Sequence, residues 1–183
     1  MSKTAAGGSG SAGAGTDRQA EIRPRVGIVM GSSSDRPLAD EAGKILEELG
    51  IPYEMRIISA HRTPREAATY AETAASRGIG VLIAVAGLAA HLPGVLAAYT
   101  TLPVIGVPVE TGPLRGLDAL VAMVQMPPGV PVATVGIGGA RNAALLAAAI
   151  LGQSDPELAS RLAGWREKQA DRVRQADAEL RRG

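Results

Sequence analysis

The sequence predicts an α/β protein in which a parallel sheet is covered by helices on both faces. Two observations lead to this fold class: five short apolar runs recur along the chain, and amphipathic stretches of helical period separate the first three of them. Such alternation is typical of right-handed βαβ units. The runs are apolar almost throughout rather than at every second position, which indicates strands buried on both faces.

The predicted elements follow in order along the chain. Strands are expected over residues 25–30 (RVGIVM), 54–59 (EMRIIS), 81–86 (VLIAVA), 102–107 (LPVIGV) and 131–136 (PVATVG). Helices are expected over residues 37–49, 64–77, 93–99, 116–124 and 142–151. Gly50 and Gly78 directly follow the first two helices, where glycine commonly ends a helix.

A long terminal helix is expected over residues 155–180, with Asp155 as its N-cap and Pro156 in its first turn. Its apolar positions form a narrow stripe of Leu158, Leu162, Trp165 and Val173. Two interpretations stay open. The helix either lies on its own domain or reaches across to a neighbouring subunit.

Length and composition indicate one domain, residues 23–183, preceded by a Gly/Ser/Ala-rich tail over residues 1–22 that we expect to be disordered. With 19 basic and 18 acidic residues, the net charge of +1 gives no general electrostatic reason to bind nucleic acid or an anionic membrane. The longest apolar stretch, residues 81–90, falls well short of the roughly 20 residues of a membrane span. A cytoplasmic protein is expected.

The chain has no cysteine and two histidines, His61 and His91. The absence of cysteine excludes disulfides, thiolate nucleophiles and thiol-bound metals. A zinc site would have to rely on carboxylates, so no metal is expected.

Polar side chains follow the first predicted strand, in the stretch GSSSD over residues 31–35. Ligands of open parallel sheets bind beyond the carboxyl ends of the strands, near the point where strand order reverses. A glycine turn with hydroxyls before a helix suits an anion, because backbone amides point toward it. The same stretch also fits a plain helix cap in which Ser34 or Asp35 is the capping residue.

The second and third predicted strands end in the same kind of loop. Ser59, Ala60, His61 and Arg62 precede Thr63, a natural N-cap. The third strand leads into AGLAAHLPG, where small residues allow a ligand close to the backbone and His91 stands before a helix, as a ligand contact or as a structural group. The fourth and fifth strands are expected to end in mostly apolar or glycine-rich turns.

Together these loops predict a site for a phosphorylated small molecule with one acid–base step. Ser32, Ser59 and Arg62 are the candidates for the phosphate, and Asp35 for sugar hydroxyls. His61 is the candidate for moving a proton, because imidazole has a pKa of about 6.5 and both donates and accepts near neutral pH.

Seven motifs then occur in order between about residues 26 and 165: VMGSSSD, SAHRTP, AGLAAHLPG, PVIGVPV, GLDAL, VQMPPGVPVATV and NAALLAAAIL. As an ordered set they resemble the N5-carboxyaminoimidazole ribonucleotide mutase family, the bacterial PurE-type enzymes of purine (IMP) biosynthesis. The resemblance implies a three-layer flavodoxin-like fold, a homo-octamer with sites at subunit contacts, and a small ribonucleotide substrate. It implies an isomerase that moves a carboxylate from an exocyclic nitrogen to C4 and needs no cofactor.

The resemblance also assigns residues. It implies that His61 transfers the proton and that Ser32, Ser59 and Arg62 bind phosphate. Asp35 would bind the ribose, Ala60 would contact the substrate, and a loop beside the base would comprise Gly87, Leu88, Ala89, Ala90, His91 and Leu92. The HLPG form of this loop favours the mutase branch over the alternative, direct CO2-dependent carboxylation of aminoimidazole ribonucleotide.

Leu88 departs from the family pattern, whose loop usually reads AGGAAHLPG. If this position needs positive φ, leucine strains the loop. If it faces a neighbouring subunit, the change is harmless.

Two other kinds of α/β module share the predicted topology, but the residues that they need are missing or scarce here. A phosphorylation-controlled receiver needs acidic residues after strand one, an aspartate after strand three and a lysine after strand five. This chain has serines, AGLAAH and GIGG there. A flavin-binding module stacks aromatic side chains on the isoalloxazine ring. With one tryptophan, three tyrosines and no phenylalanine, this chain has little with which to do so.

Overall fold

A computed structural model describes residues 25–182 of the chain. The strands are β1 (Val26–Met30), β2 (Tyr53–Ile57), β3 (Val81–Ala86), β4 (Val104–Pro108) and β5 (Ala133–Thr134). The helices are α1 (Arg36–Glu48), α2 (Pro64–Ala74), α3 (Leu92–Ala98), α4 (Leu117–Val124), α5 (Ala140–Leu151) and α6 (Pro156–Leu180). Each corresponds to a predicted element, while the predicted tail, residues 1–22, lies outside the described residues.

The strands form one parallel sheet in the order β2-β1-β3-β4-β5, which is the flavodoxin-like order. One face of the sheet packs against α1, α5 and the first turns of α6, and the other packs against α2, α3 and α4. Helix α5 presents a stripe of buried alanines to the sheet, which lets helix and strands approach closely: Ala140, Ala143, Ala144, Ala147 and Ala148. The predicted three-layer fold class is confirmed.

The prediction that every strand is buried on both faces is wrong for the two edge strands, β2 and β5. No residue of either strand is buried, and Ile57 of β2 is 57% exposed. The reason is their place at the edges of the sheet, where β2 pairs with β1 alone and β5 pairs with β4 alone. By contrast, β1 and β3 lie inside the sheet and are buried throughout.

Helix α6 begins as predicted, since the Asp155 carboxylate accepts a hydrogen bond of 3.0 Å from the amide of Leu158. Its first half packs on its own domain through buried Leu158 and Leu162, and Trp165 Nε1 donates to Glu48 at 2.9 Å. The contact with the domain does not extend to Val173 of the predicted stripe, which is 70% exposed. Within residues 25–182, no helix is long and apolar enough to cross a membrane.

Close packing of β1 against α2 and β3 leaves no room for a side chain at Gly27. A Cβ at Gly27 would lie 2.3 Å from the hydroxyl oxygen of buried Tyr70 and 3.0 Å from Leu82 Cδ2. Overpacking a core costs about 1–3 kcal/mol, so we predict that Gly27→Ala lowers the free energy of unfolding by that amount. Urea denaturation at fixed protein concentration measures it.

Gly164 supplies the matched control for this substitution. It is an exposed helical residue of α6, and a Cβ there would meet no atom within 4 Å. Gly164→Ala should raise the free energy of unfolding by about 0.5–1 kcal/mol, because alanine favours a helix over glycine. Equal effects of the two substitutions would contradict the packing described for Gly27.

Candidate functional site

The candidate site lies at the carboxyl ends of β1, β2 and β3. Met30, the last residue of β1, pairs in register with Ile57 of β2 and Val85 of β3. The pairing continues past the strand ends, where Ile58 N donates to Met30 O at 2.9 Å and Gly31 N donates to Val85 O at 3.1 Å. The three loops therefore leave the sheet at the same level.

In the loop after β1, Ser32 and Asp35 form a reciprocal cap. Asp35 Oδ2 accepts from Ser32 N at 3.1 Å, and Ser32 Oγ accepts from Ser34 N at 3.3 Å. The Ser32 hydroxyl thus caps a short 3-10 turn, Ser33–Asp35, that precedes α1. Asp35, one of the two predicted positions, is the N-cap residue of α1, but its side chain makes no capping hydrogen bond to that helix. Burial raises the pKa of Asp35, and hydrogen bonds from the Ser34 hydroxyl and the Ser32 amide partly offset that rise.

In the loop after β2, Arg62 ties two loops together. Its Nη2 donates to Gly31 O at 3.1 Å, and its Nε lies 3.3 Å from Ser59 Oγ, which also accepts from Arg62 N at 3.2 Å. Thr63 precedes α2, but its hydroxyl does not cap that helix. It bonds back to Ser59 instead, accepting from Ser59 N at 2.9 Å and donating to Ser59 O at 3.0 Å.

In the loop after β3, Leu88 has a φ of 52°, in the left-handed region. Leucine is rarely found there because its Cβ crowds the following carbonyl. The side chain is 52% exposed and covers Gly112, where an added Cβ would lie 2.6 Å from Leu88 Cδ2. Of the two expectations for this position, the structure confirms the need for positive φ.

The two histidines meet above these loops. His61 Nε2 lies 2.9 Å from His91 Nδ1, the ring centroids are 5.0 Å apart, and the ring planes form an angle of 72°. Both side chains are exposed. The contact joins the loop after β2 to the residue before α3.

A cavity of about 640 Å³ collects most of the predicted residues. It is bordered by Ser32, Asp35, Ser59, Ala60, His61, Arg62, Gly87, Leu88, Ala89 and Leu92. His91 and the buried Ala90 do not border it and instead line a neighbouring, mostly apolar cavity beside Ala60. The volume is typical of pockets for small organic ligands, which span about 300–1,000 Å³.

The loop after β4 also borders the main cavity, which the sequence analysis missed. It contributes Val109, Glu110 and Thr111, so the expectation of a mostly apolar turn there is wrong. The signal was available, because the polar pair Glu110–Thr111 follows almost directly after an apolar strand. Glu110 accepts from Arg115 Nε at 2.9 Å within the same loop. Within residues 25–182, no group of three or more His, Asp or Glu side chains is placed to hold a metal ion.

The fold and this cavity define a flavodoxin-like α/β protein with a polar cavity at the point where strand order reverses. The sequence model of the AIR carboxylase family matches residues 25–172, and the chain belongs to that family.

Curated relatives and solved structures agree with this assignment. The chain is 57% identical over 160 residues to the N5-carboxyaminoimidazole ribonucleotide mutase of Mycobacterium tuberculosis, covering 87% of this chain and 92% of the relative. It is 60% identical over 144 residues to the mutase of Pyrococcus abyssi, covering 79% and 83%. The crystal structure of Treponema denticola PurE aligns with a TM-score of 0.79 at 33% identity, covering 86% of this chain and 99% of that one.

The strained backbone at Leu88 can be measured directly. We predict that Leu88→Gly has a higher free energy of unfolding than Leu88→Ala, by about 1 kcal/mol, because only alanine retains the cost of the left-handed conformation. Comparing the two variants cancels the loss of the leucine side chain. Urea denaturation of both provides the measurement.

Ala163 on the exposed face of α6 is the matched control. There Ala163→Gly should lower the free energy of unfolding by about 1 kcal/mol, the ordinary helical preference. The same sign at both positions would mean that Leu88 carries no strain.

Proposed function

We propose that this protein catalyses the conversion of N5-carboxyaminoimidazole ribonucleotide to 4-carboxy-5-aminoimidazole ribonucleotide in purine biosynthesis. The observation that carries the proposal is the single cavity at which His61, the candidate proton donor, meets the candidate phosphate ligands Ser32, Ser59 and Arg62. The identity of 52–60% to several curated mutases supports the same reaction.

The proposed reaction moves one carboxylate within the substrate. His61 gives a proton to the exocyclic nitrogen, the nitrogen–carbon bond of the carbamate breaks, and CO2 is released. The electron-rich C4 of the ring attacks that CO2 and forms the new carbon–carbon bond. His61, now neutral, removes the C4 proton, so the protein ends in the state in which it began.

The cavity walls suit the parts of such a substrate. Arg62 uses its Nε and Nη2 to hold the loops after β1 and β2 together, and it offers a cation where those loops meet, which suits a phosphate. The Asp35 carboxylate is fixed by backbone and hydroxyl donors and suits ribose hydroxyls. Gly87, Ala89 and Leu92 provide a wall of mostly small groups on the side of the loop after β3. A ligand held this way would keep released CO2 close to the attacking carbon.

We also propose that the enzyme is a cytoplasmic homo-octamer. The support is an exposed apolar surface on and beside α4, where Leu114, Leu117, Val121 and Val124 are 40–58% exposed. Such a surface is typical of a face that another subunit covers. A native mass measurement checks the assembly.

The proposed reaction can be tested with purified protein. Purified protein should convert N5-carboxyaminoimidazole ribonucleotide without ATP, metal or added bicarbonate. It should show little turnover of aminoimidazole ribonucleotide with bicarbonate alone. The absorbance change on product formation follows both assays. Robust turnover in the second assay would make the protein a direct carboxylase and overturn the mutase assignment.

The proton-transfer role of His61 can be tested by substitution. His61→Asn should lower turnover by at least about 10²- to 10⁴-fold, the usual contribution of a positioned acid–base group, while product binding stays largely intact. Calorimetric titration with 4-carboxy-5-aminoimidazole ribonucleotide separates the two effects. Arg65→Gln is the control, because Arg65 is exposed at the start of α2 and does not border the cavity. Retained activity in His61→Asn would remove the proton-transfer role.

A further inference from the structure

The contact between His61 and His91 determines the tautomer of the His61 ring. At 2.9 Å, His61 Nε2 and His91 Nδ1 are within hydrogen-bonding range of each other. One of these nitrogens must carry the proton and the other must present a lone pair. The contact therefore decides which nitrogen of His61 is protonated, and which is left to act on a substrate.

Two arrangements satisfy this bond. In the first, His61 Nε2–H donates to His91 Nδ1, and Nδ1 of His61 is free to gain or lose a proton. In the second, His91 Nδ1–H donates to His61 Nε2, and that arrangement must break when His61 becomes an imidazolium, since both of its nitrogens then carry protons. The first arrangement suits a residue that gives and regains a proton in each turnover, because the hydrogen bond from His61 Nε2–H to His91 Nδ1 persists in both charge states of His61.

The two rings stand on different sides of the loops. His61 borders the main cavity, whereas His91 borders the neighbouring apolar cavity with Pro64, Val95, Tyr99 and Met126. His91 thus contacts His61 from the side away from the main cavity and does not border the space that a substrate would fill. Among the described residues, the bond to His61 is the one hydrogen bond of the His91 ring.

We propose that His91 is a positioning residue: its Nδ1 accepts a hydrogen bond from His61 Nε2–H and so leaves His61 Nδ1 as the nitrogen that exchanges a proton with the substrate. This inference rests on the proposed function for its catalytic consequence, although the hydrogen bond itself can be tested without any turnover. The bond also holds the His61 ring in one orientation, as a hydrogen-bonded partner does for other catalytic histidines.

Side-chain length provides matched variants. The Oδ1 atom of asparagine occupies about the position of histidine Nδ1 and can accept the same bond, whereas glutamine reaches farther and corresponds to Nε2. His91→Leu removes the acceptor entirely. We expect kcat to fall about 10- to 100-fold in His91→Leu and His91→Gln with KM little changed, in line with the loss of other partners that orient a functional histidine. His91→Asn should recover most of kcat.

The chain's two histidines make a second readout simple. In protein labelled with ¹⁵N-histidine, spectra recorded at a pH well above the pKa of about 6.5 of free imidazole should show His61 as a fixed Nε2–H tautomer. His91→Leu should average the two His61 nitrogen signals, and His91→Asn should restore the fixed tautomer. Unaltered His61 signals in His91→Leu would overturn the inference, as would a His91→Asn enzyme no more active than His91→Leu.

These measurements separate the inference from the proposed function. A wild-type protein without mutase activity whose His61 tautomer still depends on position 91 would refute the function and keep the positioning role. An active wild type whose His61 signals ignore position 91 would do the reverse.

Discussion

The in-register end of three parallel strands is the constraint on which the rest of the site depends. Met30 is aligned with both Ile57 and Val85, so the loops after β1, β2 and β3 start side by side. A slip of one residue in either pairing would displace a loop by about 3.3 Å and turn its side chains to the opposite face. Neither the 3.1 Å bond from Arg62 to Gly31 nor the 2.9 Å contact between the histidines would survive that shift.

The place of each strand in the sheet also sets the electrostatic environment of its loop. The edge strand β2 ends near solvent, so the side chains of His61 and Arg62 remain exposed. The interior strand β1 leads to Asp35, which is 9% exposed and whose pKa is raised by burial. One cavity thus combines a solvated cation and imidazole with a buried carboxylate, although the chain as a whole is almost neutral.

Most of the fold could be predicted from patterns within short segments of the sequence. Apolar runs and the glycines that follow helices are properties of short segments, and parallel topology then required the loops after β1, β2 and β3 to share an edge. Exposure of β2 could not be predicted in this way, because it depends on strand order, which distant packing decides. Glu110 and Thr111 stand in the sequence as a polar pair just after an apolar strand, but their place at the same cavity depends on the pairing of β4 with β3. The His61–His91 bond depends on two side-chain conformations 30 residues apart, which no sequence pattern specifies.

Leu88 and Gly112 show how two loops of the cavity wall depend on each other. Both residues have positive φ, at 52° and 69°, and the leucine side chain fills the space that a Cβ on Gly112 would need. A glycine at position 88 would remove the backbone strain but would leave the loops after β3 and β4 without this contact. A side chain at position 112 would displace the leucine. Backbone strain persists where the surroundings determine the conformation, and the contact with Gly112 is part of those surroundings. The pair, rather than either residue, therefore specifies this wall of the cavity, and a change at one position alters what the other can tolerate.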